Sequence, residues 1–327
     1  MTPVQHTKKR TRSTLLPDAA ELLFGFCTLF CLLLLLRNAE AASAFMTRGL
    51  TVCAKTVIPS LFPFAVLSEL IVSGQTIRRL ICRVFSPLRR LLGLTDDGVC
   101  AVFLGMLCGF PIGTRCALHA YQRGSISRDE AERAIACASC PSPAFLIGTV
   151  GSTLLSDRRF GITLYICTLL SALLVGILFR LRARGQATQT VHVCPTVGVR
   201  PSAAKRLTDA VGSATQSMLL VCAYIVFFST IVGALGLILA PLDLPEPISA
   251  ILHTIFELSG GAERAASLSS ARAARLIAAF AAGWSGLSVH CQTLSFCSGH
   301  GLSLRPYLLG KALQGGLTVA MIAILTR

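Results

Sequence analysis

Three stretches of this chain are almost bare of charge: 19–36, which holds only Glu21, then 160–179 and 210–242. As helix, at about 1.5 Å per residue, the first two match a hydrocarbon core of about 30 Å and the third exceeds it. A segment at that depth must satisfy its own backbone polar groups, which leaves helices or closed barrels. A barrel alternates apolar and polar residues over about ten positions, and no such alternation appears. The chain therefore reads as an all-α, polytopic membrane protein of about seven or eight spans. Composition agrees, because charged residues make up 14% of the 327 residues, against about 25% in a soluble protein.

Lys and Arg number 30 and Asp and Glu 15, a formal charge of +15. The cations cluster beside apolar segments, at Lys8-Lys9-Arg10, Arg78-Arg79, Arg89-Arg90 and from Arg180 to Arg184. That placement predicts cytoplasmic loops at 1–12, 75–90 and 181–206 in contact with anionic membrane lipid. It argues against nucleic acid as a partner. The one CxxC, Cys137-Ala138-Ser139-Cys140, has no second pair and no nearby His pair, so it reads as packing and no metal site is expected. The N-terminus imitates a signal peptide ending at Ala42-Ser43-Ala44. Its apolar core is long for one, and an uncleaved first span is the better reading.

The chain divides into a basic tail (1–18), a first membrane repeat (19–180), a polar linker (181–206) and a second membrane repeat (207–327). In the first repeat, 37–48 is expected along the interface. Residues 49–74, broken near Pro59-Ser60-Leu61-Phe62-Pro63, read as a re-entrant hairpin or a kinked span. Residues 98–120 form a broken helix at Gly109-Phe110-Pro111-Ile112-Gly113. Ser127 and Glu130 read as a capping box opening a helix to Ser139. Cys140-Pro141-Ser142-Pro143 breaks the chain before a short apolar half-span. In the second repeat, 248–270 is a hairpin-like unit containing Glu257, and 274–297 is a helix broken at Gly283-Trp284-Ser285-Gly286. Leu67-Ser68-Glu69-Leu70 then faces Ile255-Phe256-Glu257-Leu258, with repeat offsets of about 176 to 188 residues. Interrupted apolar segments at matching places in two halves point to a transporter substrate site.

Four signatures in order carry a family resemblance: Pro59-Ser60-Leu61-Phe62-Pro63-Phe64 with Ser68-Glu69-Leu70; Gly109 to Gly113 with Arg115, Ile126-Ser127 and Glu130 to Arg133; Pro143 to Gly151; and Gly286 to Gln292 with Pro306 to Lys311. Over roughly 15 to 325 the chain resembles the sporulation integral membrane proteins with nucleoside-recognition (Gate) repeats. The resemblance implies a fold related to concentrative nucleoside transporters, with paired re-entrant hairpins and broken helices. It also implies a role in endospore formation, moving dipicolinate from mother cell toward forespore across the mother-cell-derived forespore membrane.

A pyridine dicarboxylate is a dianion at neutral pH and needs cations or helix N-termini. The candidate substrate residues are Gly113, Thr114 and Arg115 after the first break, Ser139 and Ser142 beside the prolines, and Ser285, Ser288, His290 and Gln292 around the second. Arg115 offers a guanidinium to a carboxylate, or snorkels near a helix end. His290 is a donor or a proton switch, or is satisfied by a neighbouring helix. Glu69, Glu257 and Lys311 are assigned to coupling or structure, with a salt bridge from a carboxylate to Arg115 or Lys311 as one form of the latter. No cofactor is implied, and proton or sodium stays open as coupling ion. Nucleotide-loop, serine-hydrolase and zinc-protease motifs are all missing from the sequence, so the expectation is a non-enzyme. The other readings are a sporulation assembly or signalling protein on a transporter-like fold, and a nucleoside transporter. Partners would be a small anionic substrate, membrane lipid, and further copies of the chain or other sporulation membrane proteins.

Overall fold

A computed structural model describes residues 19–182 and 202–326, and no strand occurs among them. The tail 1–18 and most of the expected linker 181–206 lie outside the described residues. The chain begins with α1 (Ala19–Arg37), whose apolar side chains are mostly exposed, as on a lipid-facing helix. Next comes α2 (Ala39–Ser73), one continuous helix. Of the two alternatives for 49–74, the span is the one observed and the re-entrant hairpin is not, and 37–48 leads into the same helix. The prolines are absorbed locally. A π turn at Cys53–Val57 lets the Ile58 N–H reach Cys53 O just ahead of Pro59, which has no N–H to give.

Two short amphipathic helices follow, α3 (Gln75–Val84) and α4 (Ser86–Leu92). The chain then turns by 102° into α5 (Asp96–Cys108), capped by the Thr95 hydroxyl. After a break at Gly109–Pro111 it returns as α6 (Ile112–Gln122). The arms α5 and α6 pack side by side: a Cβ on Gly113 would stand 2.7 Å from Gly105 Cα. The expected broken span at 98–120 is thus the first hairpin, and Gly109–Pro111 is its tip.

The helix α7 (Arg128–Ala138) is capped by Ser127, whose hydroxyl accepts from the Glu130 N–H. The other half of the expected capping box does not form. Glu130 instead accepts from the Thr95 N–H and hydroxyl, at 2.5 and 2.7 Å, tying α7 to the start of α5. A non-helical stretch through Cys140–Ser142 leads to α8 (Ala144–Leu154), a π helix, and then to α9 (Arg158–Arg182). The helices α7 and α8 do not pack along each other as the hairpin arms do, so this pair reads as a broken span.

The second half runs through a similar series, without counterparts of α3 and α4. The helix α10 (Ala203–Leu239) is followed by α11 (Glu246–Phe256) and α12 (Leu258–Ala266), which pack together as a second hairpin with Glu257 at its tip. There Gly261 closes the arms, with the Thr254 Cα 2.5 Å from where a Cβ would stand. The pair α13 (Ala271–Trp284) and α14 (Gly286–Cys297) is the second broken span, and α15 (Arg305–Leu325) ends the bundle. Among the described residues, four helices are long and apolar enough to cross a membrane unbroken: α2, α9, α10 with its short extension, and α15.

Element order therefore aligns Gly109 with Glu257, Cys140 with Ser285, and Arg158 with Arg305, at spacings of 145–148 residues. The expected pairing of the Gly109 and Gly283 breaks, and of Glu69 with Glu257, does not hold. Glu69 lies on a continuous helix, while Glu257 caps a hairpin arm.

One end of the molecule gathers the basic loops. Arg180, at the end of α9, donates to Arg90 O and to Leu91 O, the latter at 3.0 Å. Arg206, near the start of α10, donates to Leu70 O at 3.2 Å. A spanning α2 is what lets these cationic segments share one face.

Candidate functional site

Both hairpin tips and both breaks meet at one cavity of about 50 Å³. Its walls are Thr56 and Ser60 on α2, Phe110 at the first tip, Pro141, Ser142 and Phe145 at the first break, Val221 and Ile225 on α10, Glu257 and Ser259 at the second tip, and Ser288 and Gln292 on α14. That volume holds a few waters. It is too small for an aromatic dicarboxylate, so the centre is closed around its own side chains.

Each hairpin tip sits in the break of a broken span, and each junction needs a glycine. At the first, Gly109 has φ +84° and Ser142 N lies 2.8 Å from where its Cβ would stand. At the second the roles reverse: Gly286 of the break has φ +82° and faces Glu257 and Leu258 of the tip at 3.1–3.2 Å. Any side chain at either position meets backbone and an unfavourable φ together. The Trp284 Nε1–H strengthens the second junction by donating to Ile255 O, 3.2 Å away.

Of the expected site residues, Ser142, Ser288, Gln292 and Glu257 line the cavity. Glu257 is buried, and its carboxylate accepts from the Ser259 and Gly260 N–H groups at 3.0 and 2.5 Å. It thereby caps α12 where the helix dipole favours an anion. No ion pair to Lys311 or Arg115 forms.

Arg115 neither snorkels nor faces the cavity. Its guanidinium pairs with Glu69 at 2.8 Å, donates to Ser213 O at 3.1 Å and to the hydroxyls of Ser213 and Ser217, and lies over the Phe296 ring. Ser213 and Ser217 stand one turn apart on α10, and sequence reading missed both. The salt-bridge reading of Glu69 is the one observed. The pair closes the basic end of the central space, where only about 10 Å³ remains open.

Gly113 is used in hairpin closure, and Thr114 pairs with the Ser139 hydroxyl at 3.2 Å. Lys311 is fully buried behind the first break, donating to Ser139 O and Gln314 Oε1, both at 2.8 Å, with Phe110 beside it. No carboxylate among the described residues pairs with it. The exposed carbonyl end of α7 is the countercharge, as expected for a cation at a helix C-terminus.

His290 is wedged edge-on between the Trp284 and Tyr307 rings, with Nδ1 2.9 Å from the Tyr307 hydroxyl. Its Nε2 and the Ser285 hydroxyl are buried without a partner. No cluster of three His, Cys, Asp or Glu suited to a metal occurs among the described residues. Cys137 and Cys140 pack in the core.

A second ion pair stands at the other end of α2, between Arg48 and Glu263 of α12. The helix α2 thus contacts the first hairpin through Glu69 and the second through Arg48, 21 residues apart, or about 31 Å. Its middle turns, Thr56 to Leu61, face the cavity between them.

The chain is similar to "Sporulation integral membrane protein YlbJ" of Bacillus subtilis (strain 168), with 27% identity over 340 aligned positions covering 93% of this chain and 82% of that protein. No family model matches the chain, and no solved structure matches it. The likeness supports a family of sporulation membrane proteins. Together with the long apolar helices it makes this an integral membrane protein.

Proposed function

We propose that this chain is a secondary transporter or facilitator, without catalytic activity, for a small aromatic dicarboxylate, dipicolinate, during endospore formation. The observation that carries the reading is the convergence of two hairpin tips and two span breaks on one small cavity. Irregular backbone at membrane depth is tolerated where it lines a cavity, and paired interruptions are the mark of a transporter site. An assembly or signalling protein has no need of four such interruptions aimed at one point. The sporulation likeness supplies the setting, and the mother-cell-derived forespore membrane is the membrane that dipicolinate has to cross.

The two halves, 39–182 and 203–325, act as repeats of inverted topology: each has one span, one hairpin, one broken span and a last span. Alternating access follows when the hairpins part from α2 in turn, at Glu69 or at Arg48. In the closed centre, no arginine or lysine reaches the substrate space. An anion there is held by the N-terminal N–H groups of α14 and by the hydroxyls of Ser142 and Ser288, with Phe110 and Phe145 against its ring. The uncharged remainder of the lining also favours a second reading, a neutral heterocycle such as a nucleoside.

Purified protein in proteoliposomes should take up labelled dipicolinate, and a pH gradient of one direction should drive accumulation. Uptake of labelled uridine with no uptake of dipicolinate would replace the first reading by the second. Uptake of neither by correctly oriented protein would remove the transport reading.

A further inference from the structure

A second, roomier space beside the central cavity opens at the end opposite the basic loops. It measures about 490 Å³ and lies between the first turns of α2, the last turns of α10 and the second hairpin. Its floor is Glu257 and Ser259, which also line the central cavity. It is therefore the antechamber to that cavity, and it is large enough for a single-ring solute.

Its charges are unevenly committed. Arg48 is paired with Glu263. The Glu257 carboxylate is held by two backbone N–H groups at the floor. The His253 Nδ1–H donates to Ser249 O at 2.8 Å. Arg264 faces the same space and has no acidic partner among the described residues, with a single 3.3 Å contact to the Ser249 hydroxyl. Around these groups stand apolar walls, Phe45, Val52 and Leu237. An uncommitted guanidinium beside apolar walls matches a ring bearing a carboxylate. The exposed fork of Arg264 is free to take the carboxylate with two parallel hydrogen bonds.

We propose that this antechamber is the first binding site of a carboxylate-bearing aromatic solute, with Arg264 recognising the carboxylate. The inference rests on the transport reading above and adds an entry site to it. The Glu257 carboxylate at the floor repels the bound anion, so capture at Arg264 and passage to the centre are separate steps.

The test uses the full-length protein in phosphatidylcholine vesicles and two measurements, equilibrium binding and uptake of labelled dipicolinate. Arg264→Gln should weaken binding by about tenfold or more, the loss of one charge-assisted interaction. Arg264→Lys keeps the charge without the fork and should fall between. Benzoate should compete, and uridine should not. Equal affinity in wild type and Arg264→Gln overturns the proposal, as does the lack of any binding to wild type. Adding phosphatidylglycerol tests the other source of an anion: if it abolishes dipicolinate binding at Arg264, a lipid headgroup is the occupant and the solute assignment fails. Binding that depends on Arg264 without any uptake leaves the antechamber standing and removes the transport reading.

Discussion

At the scale of single residues, charge is placed against a backbone or an ion partner almost everywhere inside this molecule. Arg115 and Glu69 form a nearly buried pair, with side chains 11% and 18% exposed. Removing one member leaves the other buried and unpaired, at a cost of about 3–5 kcal/mol. Arg115→Ala should therefore lower the unfolding temperature in detergent, while Arg115→Met combined with Glu69→Gln should recover most of it. Uptake by the double variant separates two roles. A latch survives loss of both charges, and we expect uptake to persist; a stable but inert double variant would show that Arg115 touches substrate after all. Glu257 allows a second test. Gln there keeps an oxygen to cap α12 and removes the charge that a dianion must pass. Dipicolinate uptake by Glu257→Gln should lose much of its dependence on pH, and an unchanged pH profile would exclude Glu257 from coupling.

At the scale of elements, Gly105 and Gly113 let the first hairpin close. A Cβ at position 113 would lie 2.7 Å from both Gly105 Cα and Ala138 Cβ, so Gly113→Val must push the hairpin off α7. Overpacking of this kind costs about 1–3 kcal/mol. Thermal unfolding should show a clear loss for Gly113→Val and almost none for Gly148→Ala, because nothing lies within 4 Å of Gly148. Equal stability of the two would mean that the arms are not packed. The same comparison explains what was legible in the sequence. Charge-free stretches marked α9 and α10, and Gly and Pro marked all four interruptions. The fold-back at 248–270 was legible, but the one at Gly109–Pro111 reads as a span break, because a hairpin tip and a span break carry the same Gly-rich signal. The difference lies in whether the two arms pack on each other, as Gly105 with Gly113 and Thr254 with Gly261 do. Pro59 and Pro63 misled in the opposite sense: both sit inside one helix, and the π turn ahead of Pro59 leaves no mark in composition. The candidate site was half legible. Ser142, Ser288, Gln292 and Glu257 were found from the breaks. The partners of Arg115 on α10 were hidden in an apolar run where Ser213 and Ser217 look like packing residues.

At the scale of the whole molecule, α2 is the fixed post against which both hairpins are latched. The latches have opposite polarity: α2 supplies the carboxylate to the first hairpin and the guanidinium to the second. The space is also asymmetric, about 490 Å³ at the Arg48 end against about 10 Å³ at the Glu69 end. The chain is thus held with its second hairpin nearer to open. For transport to occur the second hairpin must move relative to α2. The contact between Arg48 and Glu263 gives the place to stop it. Arg48→Cys combined with Glu263→Cys, joined by a short thiol crosslinker, should abolish dipicolinate uptake in proteoliposomes, and reductive cleavage of the linker should restore it. Each single Cys variant, treated in the same way, should retain uptake and so exclude damage to the other cysteines. Undiminished uptake in the crosslinked protein would show that the second hairpin stays on α2 throughout. Access would then have to open at the Glu69–Arg115 end alone, and the molecule would be a one-sided binding protein in the membrane, with no alternating cycle.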